Sequence, residues 1–171
     1  MKLKLDLHTH CYEALGFPEP SIETVGVIID AARRKGLDGL AITEHYSKRY
    51  GLLSKEIAQK YFGDEIIIIP GQEIRVYTQE VVELYMDEGR VFRFLVHPSN
   101  LYAFERHEYN IQGIEIDNHL HNGYIYKEGV RQLAAQRGLL LLRNSDAHNL
   151  EALGSFYNLL SLEEINTPTE Y

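Results

Sequence analysis

Short apolar runs alternate with amphipathic stretches along most of the chain. "LKLDLH" at positions 3–8 has period two, the mark of a strand, and "PSIETVGVIIDAARRKG" then sets Val25, Ile28, Ile29 and Ala32 at helical spacing. Ser21 can cap that helix, Arg33, Arg34 and Lys35 suit the negative end of its dipole, and Gly36 suits its stop. The unit repeats. "DGLAITEH" reads as a strand, "LLSKEIAQKYFG" as a helix, "EIIIIPGQEI" as a strand and "QEVVELYMDEG" as a helix. The strand "VFRFLVHP", a weaker helix over 100–108, the strand "QGIEIDN", the helix "IYKEGVRQLAAQRG", the strand "LLLLRNSD" and a last strand near "SFYNLL" complete the pattern. Seven strands of near-continuous apolar character alternating with helices predict a parallel sheet covered by helices. A closed or nearly closed, compact (β/α)7 barrel fits this count; an open doubly wound sheet is the alternative.

Composition narrows the class. With 171 residues, 44% hydrophobic and 25% charged, and no low-complexity tract, the chain is expected to form one domain over 1–171. A net charge of −8 argues against binding a nucleic-acid backbone. The single cysteine excludes an internal disulfide framework and suggests a reducing, cytoplasmic setting. No segment has the pattern of a membrane span or a signal peptide, so no membrane partner is expected. The oligomeric state is not readable.

The chemistry-bearing residues gather at one place in this pattern. His8 and His10 end the first strand, Glu44 and His45 the second, and Glu73 follows the third. His97 ends the fourth, and Asp146 and His148 follow "LLLLRN". In a parallel barrel the carboxyl ends of the strands form the chemical rim. If Leu3, Leu5 and Leu7 face the helices, Asp6, His8 and His10 face the axis, and both histidines approach one point. Imidazoles and carboxylates without a thiolate suit zinc, manganese or iron, and Glu73 can bridge two ions. Cys11 points away from His10 by parity and reads as packing.

The ordered motifs "DLHTH", "AITEH", "PGQE", "VHP" and "SDAH" resemble the polymerase and histidinol phosphatase (PHP) family of metal-dependent phosphoesterases, over residues 5 to about 160. The resemblance implies a distorted (β/α)7 barrel with two to three divalent ions. His8, His10, Glu73 and Asp146 would hold one ion. Glu73 would bridge to a second, held also by His97, while His45 and His148 would serve a third. His8, His10, Glu73, Asp146 and His148 would form the catalytic group, and Asn118 falls where relatives have a polar residue near the pocket. Two departures stand out. Relatives carry an Asp or His near the position of Leu15, where Glu13 is the nearest ionisable substitute. They also often have a further histidine between the bridging Glu and His-Pro; residues 74–96 contain none, although Tyr77, Glu80 or Glu83 could approach.

The expected reaction is hydrolysis of a phosphoester of a small phosphorylated metabolite or a nucleotide by a metal-activated water. Arg75, which shares parity with Glu73, Arg143, Asn118 and His119 are the expected substrate-binding residues. His119 and His121 could also act as imidazole acids, Lys48 and Arg49 could cover the pocket, and His107 reads as surface. Lys4, Asp6, Arg93 and Glu115 are expected to form an ion-paired layer beneath the site. Two other readings remain: a non-catalytic or impaired PHP-like binding module, and an amidohydrolase-type barrel, which also begins with H-x-H but usually has a strand-four lysine where this chain has His97.

Overall fold

The computed structural model describes residues 1–63, 65–102 and 109–166. In chain order the elements are β1 (Leu3–Asp6), α1 (Cys11–Ala14), α2 (Ile22–Arg34), β2 (Gly39–Ile42), α3 (Arg49–Tyr61), β3 (Ile67–Val76), β4 (Gln79–Tyr85) and β5 (Val91–Leu95). Then come β6 (Gly113–Asn118), α4 (Lys127–Arg137), β7 (Leu140–Asn144), β8 (Asn158–Leu160) and α5 (Leu162–Asn166). Ser21 caps α2 as its sequence suggests, accepting from the Thr24 N–H while Thr24 returns the bond to the Ser21 backbone. Most of the expected 100–108 helix, with His107, lies outside the described residues. Among the described residues no helix is long and apolar enough to cross a membrane.

The strands form one eight-stranded sheet in the order β7-β6-β5-β4-β3-β2-β1-β8, a nearly closed barrel. β1–β2, β2–β3, β5–β6 and β6–β7 are parallel; β4 and β8 run against their neighbours. The helix expected at 79–89 is β4. Val81, Val82, Leu84 and Tyr85 have helix-like spacing because β4 is buried on both faces, Val82 and Leu84 in the barrel and Val81 against Leu95 and Ile114. The turn into β4 is the two-residue step Tyr77-Thr78, with Tyr77 at φ 54°, and it lacks the Asn-Gly type of signal that announces such hairpins.

Closure differs between the two ends of the barrel. At the rim the extension of β1 meets that of β7 directly: Thr9 and Ala147 form a parallel bridge, Asp146 N–H donates to the His8 carbonyl at 2.9 Å and His10 N–H to the Ala147 carbonyl at 2.9 Å. At the other end β8 is wedged between β1 and β7, and the Asn158 side chain replaces a backbone ladder. Its Oδ1 accepts from Arg143 N–H (2.8 Å), and its Nδ2 lies within hydrogen-bond distance of the carbonyls of Arg143 (3.0 Å) and Leu5 (3.2 Å) and of Asn144 Oδ1 (2.8 Å).

The barrel is filled by Leu5, Leu7, Ala41, Ile69, Val82, Leu84, Phe94, Val96 and Leu142. A separate cluster seats α2 and α3 on Leu40, Ile42 and Ile68, and a third seats α4 on Ile114 and Ile116. The parity expected for β1 is therefore reversed: Leu5 and Leu7 point inward, and Asp6 is buried on the opposite face. Regular pairing of β1 ends at Asp6, and beyond it both Leu7 and His8 turn inside.

The expected ion-paired layer does not form. Asp6 accepts from Ser145 Oγ (2.5 Å), Ser145 N–H (3.1 Å) and Gly154 N–H (2.9 Å). Arg93 pairs with Glu83 on the outer face (2.7 Å), and the Lys4 ammonium lies 5.3 Å from the Tyr157 ring. The cause is the reversed parity of β1 together with the inserted β4.

Replacing Asn158 with Ala strips partners from several buried polar groups at the seam. Urea denaturation is expected to show a loss of about 3 kcal/mol; a loss below about 1 kcal/mol would mean that the seam does not depend on this side chain.

Candidate metal centre

Each rim segment is aimed by backbone geometry. His45 and Glu73 form a parallel bridge that extends the β2–β3 pairing, with Glu73 N–H donating to the Glu44 carbonyl (3.1 Å) and Tyr46 N–H to the Glu73 carbonyl (2.9 Å). His97 and Asp146 have φ of 29° and 53°, and Tyr46, next to His45, has 55°. Non-glycine residues in this region cost on the order of 1 kcal/mol or more and cluster at functional sites. Here the left-handed residues fall where strands end and side chains turn toward a common point.

That point is crowded with lone pairs. Glu73 Oε2 lies 3.2 Å from His10 Nε2, 3.5 Å from His8 Nε2 and 3.2 Å from His45 Nδ1, while Glu73 Oε1 lies 3.1 Å from His97 Nε2. Asp146 Oδ1 is 3.4 Å from His8 Nε2, 3.3 Å from His10 Nε2 and 3.6 Å from His148 Nδ1. The Nε2 atoms of His8 and His10, both fully buried, stand 3.2 Å apart. Groups that share this space need positive charge among them, so the donor set fits divalent cations, with imidazole and carboxylate ligands suited to zinc, manganese or iron.

Among the described residues the donors form four overlapping groups. His8, His10 and Asp146 form the buried one. His97 stands with Glu73 and Glu80 on one side and with His121 and Asp146 on another, and His45, His148 and Glu13 gather at the mouth beside His10. Glu13 Oε1 is 3.8 Å from His45 Nε2 and Glu13 Oε2 is 3.8 Å from His148 Nε2, so the acid of α1 reaches the group at the mouth although Leu15 packs against the α2–α3 core.

Behind the converging Nε2 atoms, carboxylates face the Nδ1 atoms. Glu115, fully buried on β6, accepts from His8 Nδ1 at 3.0 Å, and also from Asn144 Nδ2 (2.9 Å), Asn118 Nδ2 (2.9 Å) and His97 N–H (2.8 Å). Glu44 Oε2 lies 3.9 Å from His10 Nδ1, and its Oε1 accepts from Tyr12 N–H at 2.8 Å. The Glu115 bond fixes the His8 tautomer that presents Nε2 as a ligand and raises its basicity, whereas the buried His10 Nδ1 has no hydrogen-bond partner among the described residues.

Electrostatics follow from burial and charge together. Burial opposes ionisation of His8, yet Asp146, Glu115 and Glu73 raise its pKa well above the ordinary value; the balance has the same sign for His10 and His97. Burial also opposes charge on Glu73 and Asp146, but the imidazoles hold both carboxyls far below the usual range. Glu44 differs: burial pushes it up to about 7. Cys11 is buried with its thiol pKa raised by desolvation, and it packs among Val25, Ile28 and Tyr50, as expected of a packing residue.

The expected substrate residues divide differently from the pattern in the sequence. Asn118 is buried beneath the pocket, bonded to Glu115 and to Asp146 Oδ2 (3.2 Å), which makes it a positioning residue. Arg143 points outward to Asp117 (2.8 Å) because it alternates against the inward Asn144. His119 is exposed beside Phe156, whereas His121 reaches Asp146 Oδ2 at 3.6 Å. The physical reason is a turn: Asn118 Oδ1 accepts from Leu120 and His121 N–H groups, which swings the second histidine of "NHLHN" inward. Arg75 is exposed at the rim and pairs with Glu80 (2.8 Å). Lys48 stacks near Tyr85 and Arg49 pairs with Glu19, so neither covers the pocket.

A family model described as PHP-associated matches residues 126–170. An uncharacterised protein of Methanocaldococcus jannaschii is 36% identical over 93 residues, covering 50% of this chain and 52% of that protein; the chain thus spans about half the length of the curated relative it matches. Among solved structures, a candidate metal-dependent phosphoesterase of Bifidobacterium adolescentis has a TM-score of 0.66 at 13% identity, covering 94% of this chain and 93% of that one. PsfC of Pseudomonas syringae has a TM-score of 0.62 at 16% identity (90% and 79%), and an amidohydrolase of Chromobacterium violaceum with bound sulfate and no metal has 0.60 at 14% (92% and 92%). At these identities the solved structures establish the shared fold.

Two measurements probe the acids behind the histidines. Glu115→Gln is expected to weaken Mn²⁺ or Zn²⁺ binding about 10- to 100-fold by calorimetry, and unchanged affinity would remove Glu115 from the account. Glu44 has a folded pKa above its unfolded value of 4.5, so its contribution is full below pH 4.5 and is lost as pH rises through about 7. Glu44→Gln keeps the oxygen that accepts from Tyr12 and removes this titration. With chelator present, the variant should gain about 2 to 3 kcal/mol on the parent between pH 5 and 8; a constant difference would contradict the buried-acid assignment.

Proposed function

We propose, on the premise that this chain belongs to the PHP family, that it is a metal-dependent phosphoesterase acting on a small phosphorylated metabolite or a nucleotide in the cytoplasm. The observation that carries this reading is the convergence of His8, His10, Glu73 and Asp146 on one buried point, with His97 bonded to the second oxygen of Glu73. Divalent cations held there would supply the charge neutralisation and water activation that phosphoester hydrolysis needs.

The residues of the chain have separate tasks in this reading. Glu73 spans two ligand groups with its two oxygens, and Glu115 fixes the imidazole of His8 behind it. His45, His148 and Glu13 line the mouth, where an arriving phosphoryl group would meet them first; the His45 side chain is 46% exposed while His8 and His10 are closed to solvent. His121, from the β6 loop, faces the pocket and can hand a proton to a leaving oxygen as an imidazole acid. Arg75 at the rim supplies a cation for the remainder of an anionic substrate.

The test is a panel of phosphomonoesters and phosphodiesters offered to the protein loaded with Mn²⁺ or Zn²⁺, with N-acyl substrates alongside. We expect phosphoester cleavage, slowed at least ~100-fold in His8→Ala and Asp146→Ala, since these are ligands and even outer partners are worth 10–100-fold. Parental rates in those variants would contradict the site. Turnover of N-acyl substrates alone would move the chain to amide chemistry.

A further inference from the structure

We propose that Glu80, on the inserted strand β4, is the third protein ligand of the second cation position. The inference rests on the metal reading above and concerns how this chain completes its site. Residues 74–96 hold no histidine, which leaves Glu73 and His97 as the pair around that position. Two ligands are too few, because a catalytic site of this kind normally has three protein donors and an open place.

β4 supplies the missing donor through its alternation. Val82 and Leu84 face the barrel core, so Glu80 shares their face and emerges at the rim. Its backbone is fixed by the β3–β4 register, which sets Arg75 opposite Glu80, and by Val96 N–H donating to the Glu80 carbonyl (3.1 Å). Its Oε2 lies 3.6 Å from His97 Nδ1 while Glu73 Oε1 faces Nε2 of the same ring, and with a single nitrogen of His97 counted, Glu80, Glu73 and His97 offer ligand atoms within 4.8 Å of one another. Its other oxygen pairs with Arg75, whose side chain is 61% exposed. An ion pair this wet is held weakly, so a cation can displace the guanidinium at small cost.

His121 is the competing third donor, but it faces Asp146 Oδ2 and not the shared Glu73. This ligand set has a chemical consequence. Two carboxylates and one imidazole make a harder site than the His8, His10 and Asp146 group, so the second position should favour Mn²⁺ relative to Zn²⁺ more strongly than the first.

Ion content by mass spectrometry and competition between Mn²⁺ and Zn²⁺ test this on the full chain, with folding checked by circular dichroism. The parent should hold at least two ions. Glu80→Gln should lose one or weaken it at least ~10-fold, because an amide oxygen is a poor ligand for such ions. Glu80→His should regain it with Zn²⁺ favoured, and Arg75→Ala should leave the count unchanged. The assignment is overturned if Glu80→Gln keeps the parental ions and affinities, if His121→Asn alone loses the second ion, or if Arg75→Ala reproduces the Glu80→Gln loss. A parent that binds no ion overturns the metal reading itself and this assignment with it, a result distinct from a fully loaded Glu80→Gln.

Discussion

Four hydrogen bonds meet on the Glu115 carboxylate, and the geometry of the rim depends on them. His8 Nδ1, Asn118 Nδ2, Asn144 Nδ2 and the His97 N–H come from the ends of β1, β6, β7 and β5, so one buried anion ties four strand ends together. A charge so deep in the barrel is costly unless its lone pairs are used. Here they are, and no lysine or arginine is needed. The same bonds turn His8 Nε2 toward Glu73 and Asp146 and lock Asn118, which in turn holds Asp146 and the turn that carries His121.

Structural and chemical constraints thus share residues. Asn144 is a clear case: Nδ2 supports Glu115, and Oδ1 accepts from Leu7 N–H and Asn158 Nδ2 at the barrel seam. A change made for stability at the seam is transmitted to the ligands by direct bonds. The left-handed backbones of His97 and Asp146 fit the same picture, since Asp146 is held by the Thr9–Ala147 bridge beside it and His97 by its N–H bond to Glu115.

Much of the site was legible in the sequence because strand ends in parallel barrels are a fixed place for chemistry. His8, His10, His45, Glu73, His97, Asp146 and His148 each follow a short apolar run, and the structure brings them together in overlapping ligand groups. Parity was less reliable. Leu3, Leu5 and Leu7 alternate correctly, but β1 leaves its regular path after Asp6, and alternation alone cannot say which face is the interior. β4 was hidden because burial on both faces erases the period-two signal, and with it went the place of Glu80. The roles of Asn118, His121 and Asn158 depend on side chains that imitate backbone hydrogen bonds, which no spacing rule reveals.

The central claim is that buried imidazole and carboxylate groups surround a cation. Crystals grown with Mn²⁺ or Zn²⁺ and measured at the absorption edge of that metal test it most directly. The account predicts an anomalous peak bounded by His8 Nε2, His10 Nε2, Glu73 and Asp146. An anomalous map with no peak among those four side chains, in crystals of protein shown to contain the metal, would contradict it.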